Sequence, residues 1–179
     1  MVRRPGGFTL IEVVIFLVVS SIALVGVLAL YQQAVARSAD AIVSKQASTA
    51  AYALLEEIQA MPFTYCDIND PAASTATSSA GCSIAQGLIP AAGKARGSLS
   101  APFSNVGDYG GYAESGIADI NGNAAPGLSK YRMSVALSNV AVGAAAPADA
   151  IRIDITIEGP SGPQVVSGYR IRHSPNATP

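Results

Sequence analysis

The sequence predicts an α+β protein in which a long N-terminal helix packs on a C-terminal antiparallel sheet. Residues 8–61 contain no proline and are rich in apolar residues and strong helix formers. Within residues 131–172, by contrast, short segments alternate apolar and polar side chains. Apolar positions that recur every three or four residues indicate a helix, and a period of two indicates half-buried strands. Each predicted element follows from one of these two patterns.

The first part of the predicted helix is long enough to span a membrane. In residues 8–31 Glu12 is the only charged residue, and the next charge is Arg37. A bilayer core needs about 20 apolar residues. A buried core helix is usually shorter and has a polar face, and a cleaved signal peptide has an apolar core of only about 7–15 residues. We therefore expect residues 8–31 to form a transmembrane helix.

The helix is predicted to continue through residues 32–61, which form the first part of a domain over residues 32–179. This stretch contains neither glycine nor proline. Its apolar residues step by threes and fours, as on one helix face: Ile42, Val43, Ala47, Ala50, Leu54, Ile58 and Met61. Pro62 ends the pattern, because the residue before a proline disfavours the helical conformation.

Three strands are predicted in the C-terminal third, over residues 131–140, 151–158 and 164–172. The second alternates perfectly, with isoleucine at 151, 153, 155 and 157 and polar residues between them. Such alternation indicates an antiparallel sheet with one buried face. The isoleucine face needs a cover, and we expect the apolar stripe of the helix to supply it.

Opposite charges on the last two strands predict ion pairs across the sheet. We expect Arg170 and Arg172 to face Asp154 and Glu158. Exposed pairs of this kind contribute only about 0.2–1 kcal/mol each, so they would tune the register rather than hold the fold.

Composition argues against several classes of function. Of 179 residues only 13% are charged, with 11 basic against 12 acidic residues, one histidine and two cysteines. Binding to nucleic acid needs a basic surface, so no nucleic-acid partner is expected, although Lys94–Arg96 or Arg170–Arg172 could form a local basic patch. Clusters of zinc ligands and of catalytic titratable groups are also missing from the sequence. We therefore expect no catalytic residue, cofactor or metal, and a protein that is not an enzyme.

The N-terminus carries the most specific motif. Gly7 to Glu12 read GFTLIE, after the short basic leader MVRRPGG with Arg3 and Arg4, and directly before the apolar stretch. This order resembles the class III signal of type IV pilin-like proteins. The resemblance implies that a prepilin peptidase removes residues 1–7 by cutting after Gly7, and then methylates the new N-terminal amine of Phe8.

The same resemblance implies a role for Glu12 in assembly. An ionised carboxylate in hydrocarbon is costly, so such residues are usually paired and functional. In a filament, Glu12 would neutralise the N-terminal ammonium of a neighbouring subunit and set the axial register. The alternative is that Glu12 lies at the headgroup boundary, where its charge needs no partner.

A pilin-like protein is implied to cross the bacterial inner membrane once, with residues 32–179 in the periplasm, and then to enter a pilus or pseudopilus. Its partners would be the prepilin peptidase, the inner-membrane assembly platform, and other pilins or pseudopilins through the N-terminal helix. Three segments are similar to D-type minor pilins of the mannose-sensitive haemagglutinin pilus: residues 53–63, 126–131 and 168–173. The implied function is a structural minor pilin that joins or primes the pilus; the alternative is a minor pseudopilin of a type II secretion system.

The compartment implied by this resemblance also bears on the cysteines. In an oxidising compartment Cys66 and Cys82 are expected to form a disulfide, worth about 3 kcal/mol in the chain-entropy model. A free or metal-binding pair is the alternative.

Two further features have a structural and a functional interpretation. Asp119–Asn123 reads as a turn at Asn121-Gly122, or less favourably as a calcium loop, because the loop's later positions lack the required glycine and glutamate. Three tyrosines could pack the domain or form a carbohydrate-binding platform: Tyr109, Tyr112 and Tyr131.

Overall fold

The computed structural model describes residues 7–176, apart from the side chains of residues 36 and 39, so Arg3, Arg4 and most of the expected leader lie outside the described residues. It contains one long helix, α1 (Leu10–Ala60), and three short 3₁₀ turns (Ser79–Gly81, Val106–Tyr109 and Pro147–Asp149). The four strands are β1 (Ala113–Ser115), β2 (Arg132–Asn139), β3 (Ala150–Gly159) and β4 (Gly162–Ile171). The predicted α+β class, with a long N-terminal helix and a C-terminal antiparallel sheet, is confirmed.

Helix α1 agrees closely with the helix predicted over residues 8–61. It is continuous through Gly26 and ends at Ala60, where the Met61 amide donates to the carbonyl of Ile58 just before Pro62. The chain divides into two compact units, residues 1–42 and residues 43–179. The first unit contains the apolar part of α1, and the second contains the rest of the helix together with the sheet.

The sheet is an antiparallel meander in the order β1-β2-β3-β4. Strands β2, β3 and β4 confirm the three predicted strands. Strand β1 was not predicted, because it has only three residues and its backbone pairing depends on the tertiary position of β2. The long irregular stretch between α1 and β1 contains the two cysteines.

The expected ion pairs between the last two strands are wrong. The register places Asp154 opposite Ser167 and Glu158 opposite Pro163. Glu158 instead lies opposite Arg132 of β2, 3.6 Å away between charged atoms. Side-chain alternation turns Arg170 towards the helix side, where its guanidinium donates to the carbonyl of Met61. Register depends on where the hairpin turn closes, which the charge pattern did not specify.

The core of the second unit lies between β2 and β3 on one side and a stripe of α1 on the other. The four isoleucines of β3, at 151, 153, 155 and 157, have no exposed surface. The helix stripe that covers the sheet consists of Ala47, Ala51, Leu54, Leu55 and Ile58. Completing the cluster are Phe63, Val106, Tyr109, Ile117, Tyr131, Met133, Val135 and Val166. The expected cover for the isoleucine face is therefore present.

Strand β4 approaches α1 closely because it carries a glycine at the contact. A Cβ at Gly168 would lie 2.7 Å from a methyl group of Leu55 and 2.8 Å from the side-chain nitrogen of Gln59. Further along the same strand, Gln164 accepts a hydrogen bond from Ser48 at 2.7 Å and donates one to Ser44 at 2.9 Å. These contacts align β4 along the second part of the helix.

The packing predicts a contrast between neighbouring residues of β3. Truncating Ile155, which is fully buried, should lower the free energy of unfolding by about 2–5 kcal/mol. Thr156→Ala, on the opposite face of the same strand, should change it by about 0.5 kcal/mol or less. Urea titration of the full chain in detergent, followed by circular dichroism, measures both variants. Equal losses would contradict the assignment of the buried face.

Candidate functional site

The N-terminal segment, residues 7–16, places the predicted cleavage residues ahead of the helix. Gly7, Phe8 and Thr9 lie outside α1, and all three are exposed. The Phe8 side chain is 86% exposed. A peptide bond before a helix, with accessible residues on both sides, is open to a peptidase, because its backbone hydrogen bonds need not be broken.

Thr9 and Glu12 form a reciprocal cap at the start of α1. The amide of Glu12 donates to Thr9 Oγ1 at 3.4 Å, and the amide of Thr9 donates to Glu12 Oε2 at 3.3 Å. The Thr9 hydroxyl also donates to the same carboxylate oxygen at 3.3 Å. This is the capping-box arrangement, in which residues three apart satisfy helix N–H groups that lack partners. The spacing Thr-x-x-Glu before an apolar run is the signature of this cap, which was not predicted from the sequence.

The Glu12 carboxylate lies in apolar surroundings. Together with Phe8, Val13 and Phe16 it lines an open and almost entirely apolar cleft of about 450 Å³. The three capping bonds are long, at 3.3 to 3.4 Å, and none of them uses the Oε1 atom of Glu12. The carboxylate is therefore held in position and still accessible to a further donor.

The apolar part of α1 has the properties of a membrane-spanning helix. Every large apolar side chain from Leu10 to Tyr31 is exposed. The helix is long and apolar enough to cross a membrane, a test that buried core helices and signal sequences also pass. Full exposure distinguishes this stretch from a buried core helix, because so large an apolar surface is not left in water.

Comparison with known proteins adds a family match to this geometry. Residues 2–28 match the family model described as the prokaryotic N-terminal methylation motif. The match supports a type IV pilin-like protein. No curated protein and no solved structure shows significant similarity to the chain. Motif and apolar helix together fit a pilin or pseudopilin anchored in the inner membrane, and the motif implies processing by prepilin peptidase and assembly with other pilins.

The predicted disulfide is present between Cys66 and Cys82, whose Cα atoms are 5.4 Å apart. The enclosed loop has a small core of its own, made by Cys66 with Ala73 and Ala76. Asp70 lies near the two sulfurs, but these sulfurs are bonded to each other and the carboxylate accepts the amides of Ile84 and Ala72. Those backbone hydrogen bonds, the one from Ile84 foremost, lower the pKa of Asp70. The three groups therefore stabilise the loop and do not form a metal site.

Residues after β4 hold this loop against the rest of the second unit. The Tyr65 amide donates to the carbonyl of Pro175 at 3.2 Å, and the Asn176 side chain donates to the Ala76 carbonyl at 2.8 Å. Arg172 lies over the rings of Phe63 and Tyr65, at 4.1 and 4.5 Å from their centroids. The disulfide loop is thus attached at its base by the C-terminal end of the chain.

The candidate basic patches are turned inward. Lys94 forms ion pairs with the carboxylates of Asp67 and Asp108, and its side chain is only 8% exposed. Arg172 is 7% exposed and pairs with Asp149 at 3.2 Å. Neither residue presents a free positive charge to a polyphosphate backbone.

Arg96, the other member of the first patch, joins the irregular stretch to α1. Its guanidinium makes two hydrogen bonds to the Glu57 carboxylate, at 2.8 and 2.7 Å, and Tyr109 donates a third at 2.7 Å. Burial by itself raises the pKa of Glu57, but the hydrogen bonds from Arg96 and Tyr109 outweigh it and leave that pKa below its ordinary value. Glu57 is therefore ionised and paired in the folded protein.

The remaining predicted features are structural. The Asp119 carboxylate accepts hydrogen bonds from Asn121 and Asn123 within a turn, as the turn interpretation predicts. Tyr109 and Tyr112 pack edge-on against Phe103. Tyr131 is buried beneath the sheet and donates to Gln46 on α1 at 3.1 Å. The packing interpretation of the three tyrosines is confirmed.

The Glu57–Arg96 pair predicts a specific acid sensitivity. Because the pKa of Glu57 is lowered on folding, its contribution to stability is complete above the unfolded pKa and is lost as pH falls through the folded one. Glu57→Gln should lower the free energy of unfolding at neutral pH by about 1–3 kcal/mol and reduce the further loss at about pH 4. Denaturant titrations of the full chain across this range give both values. The exposed neighbour serves as control: Glu56→Gln should leave stability at neutral pH nearly unchanged, and a loss equal to that of Glu57→Gln would contradict the pairing.

Proposed function

We propose that this chain is a structural minor pilin that joins or primes a type IV pilus of the mannose-sensitive haemagglutinin kind. The observation that carries the proposal is the segment GFTLIE, exposed and capped, at the start of a helix whose first part is strongly apolar and exposes every large apolar side chain. The second unit supports it, because the buried cations Lys94 and Arg96 pair with carboxylates. Such pairs order a surface domain and leave no cluster of free titratable groups among the described residues.

The proposed maturation begins at the end of the leader. Prepilin peptidase cleaves between Gly7 and Phe8, removing residues 1–7, and methylates the amine of Phe8. Residues 8–31 then anchor the subunit in the inner membrane, with residues 32–179 in the periplasm until the assembly platform transfers the subunit into the filament. The exposure of both residues at the bond and their position ahead of α1 support this order.

Glu12 is proposed to act in assembly through its charge. The capping bonds from Thr9 keep the carboxylate one helical turn from the new terminus, beside the Phe8 ring. In a bundle of helices without water, the carboxylate pairs with the Phe8 ammonium of a neighbouring subunit. The long capping bonds are weak enough to be exchanged for this ion pair.

The assignment to one pilus system rests on the three segments similar to D-type minor pilins. Residues 53–63 and 168–173 pack against each other, through Leu55 on Gly168 and the Arg170 hydrogen bond to Met61. A minor pseudopilin of a type II secretion system would use the same N-terminal segment, so genes for a pilus or for secretion beside this one separate the two.

Processing can be tested directly by mass spectrometry of the membrane-bound protein from cells with and without prepilin peptidase. The expected N-terminal residue is Phe8 carrying one methyl group, and the leader should be retained when the peptidase is absent. Gly7→Ala removes the residue before the proposed bond and should block cleavage. A mature N-terminus well beyond Phe8 would refute the proposed maturation.

Charge and capping at Glu12 can be separated with three variants. Glu12→Gln keeps a capping acceptor but removes the charge, whereas Thr9→Ala keeps the charge and removes the cap. Both Glu12→Gln and Glu12→Ala should be cleaved and retained in the membrane, yet their share in sheared filaments should fall by about tenfold or more, since an unpaired buried ammonium costs about 3–5 kcal/mol. Thr9→Ala should incorporate much better than either. Normal incorporation of Glu12→Gln would show that the charge of Glu12 plays no part in assembly.

A further inference from the structure

The two outer strands of the sheet each leave backbone groups without partners among the described residues. On β2, Val135 donates to Tyr112 and accepts from Gly111, so the odd residues of β2 pair towards β1. The registers of β2 with β3 and of β3 with β4 then direct the even residues of β4 towards β3, and its odd residues outward. On β1 the same alternation directs Ala113 and Ser115 outward, because Tyr112 bonds to Val135 of β2 and Gly116 bonds to Tyr131, just before β2.

The outer edge of β4 is protected at its ends and open in the middle. Pro163, the first residue that faces outward, has no N–H group, and the Tyr169 carbonyl accepts a hydrogen bond from Gln59 at 3.3 Å. Between them Val165 and Ser167 present both their N–H and C=O groups. Proteins usually protect an exposed edge with lysine, proline or a bulge. The register of β4 is unbroken, and no outward residue from 163 to 169 is charged.

The edge of β1 is complementary to the open part of the β4 edge, at Val165 and Ser167. Ala113 and Ser115 are exposed and uncharged, and their outward backbone groups have no described partner. In a four-stranded antiparallel meander the first and last strands run in opposite directions. Two copies of this sheet in the same orientation can therefore place β1 of one beside β4 of the other as an antiparallel pair.

We propose that a second copy of this chain, in the same orientation, adds its β1 edge to β4 and continues the sheet from subunit to subunit. The inference rests on the proposed function, because parallel helices anchored in one membrane or filament give the copies a common orientation. Pairing Ser115 with Val165 and Ala113 with Ser167 uses only open backbone groups and makes about four hydrogen bonds. Shifting the register towards Tyr169 would displace the bond from Gln59.

So short a contact fits subunits that are already held side by side. Few hydrogen bonds do not assemble free molecules, but a shared membrane raises the effective concentration of one edge beside the other. The small outward side chains of β1, alanine and serine, allow Val165 to approach. The contact would then fix how neighbouring domains are oriented, whereas the N-terminal helices supply the affinity.

Cysteine cross-linking of the full chain in membranes tests this pairing. In the proposed register Ser115 and Val165 form a hydrogen-bonded pair with Cα atoms about 5.5 Å apart, which suits a disulfide. Within one copy three strand spacings of about 4.8 Å separate β1 from β4, so the pair cannot close there. Ser115→Cys combined with Val165→Cys should give a ladder of cross-linked dimers and larger species, several-fold above either single variant. The native cysteines are already joined.

The control pair is Ser115→Cys with Ser138→Cys, since Ser138 is equally exposed but lies on the inner strand β2. A ladder no stronger than that of the control would overturn the proposal. Ser167→Pro, added to the test pair, removes an outward N–H and no backbone bond to β3, and should reduce cross-linking several-fold. It also removes the side-chain bonds of Ser167 to Asp154 and Arg152 on β3. Ser167→Ala loses those side-chain bonds alone and is its control, which should leave cross-linking nearly unchanged. Unchanged cross-linking with Ser167→Pro would show that the strands do not pair through their backbones.

The N-terminal residue of the subunit and its recovery in filaments are measured in the same cells, so that failure of the edge pairing and failure of the proposed function can be distinguished. A processed and incorporated subunit without a ladder of cross-linked species refutes the edge pairing alone. Loss of processing refutes the proposed function.

Discussion

Burial of the isoleucine face of β3 beneath the second part of α1 is the interaction on which the rest of this structure depends. Four fully buried isoleucines give the sheet a strongly apolar face. The helical residues that pack on this face belong to α1, which also contains the apolar N-terminal stretch. One continuous helix therefore joins a membrane-type segment to a water-exposed domain, and the domain's core is formed only where the helix changes from apolar on all sides to apolar on one stripe.

The irregular stretch between helix and sheet is ordered by polar contacts where apolar burial is scarce. Arg96 reaches Glu57 on α1, and Lys94 joins Asp67 to Asp108. The disulfide closes the loop between Cys66 and Cys82, and residues up to Asn176 hold it in place. Pairing Lys94 and Arg96 with carboxylates inside the domain explains how a chain with so little charge keeps a long loop region folded.

The N-terminal segment and the sheet edges are proposed to provide two different kinds of contact for assembly. A capped, accessible carboxylate beside an apolar helix is suited to a buried ion pair between subunits, which is strong because water is excluded. Open strand edges with small uncharged side chains are suited to weak, directional hydrogen bonds at the filament surface. In the proposed assembly the first kind supplies specificity for the helix bundle, and the second orients domains that already lie next to each other.

The sequence by itself determined the long helix, the three main strands and the N-terminal motif, because each has a strong period or a fixed order of residue types. Even the cover of the isoleucine face followed from these patterns. It did not determine β1, the pairing of Arg170 and Arg172, or the inward position of Lys94 and Arg96. Those depend on register and on contacts between residues far apart in the chain, and charge patterns alone do not encode them. Only the tertiary structure decided which strand edges stay open, since an N–H group is free or paired according to its neighbour in space.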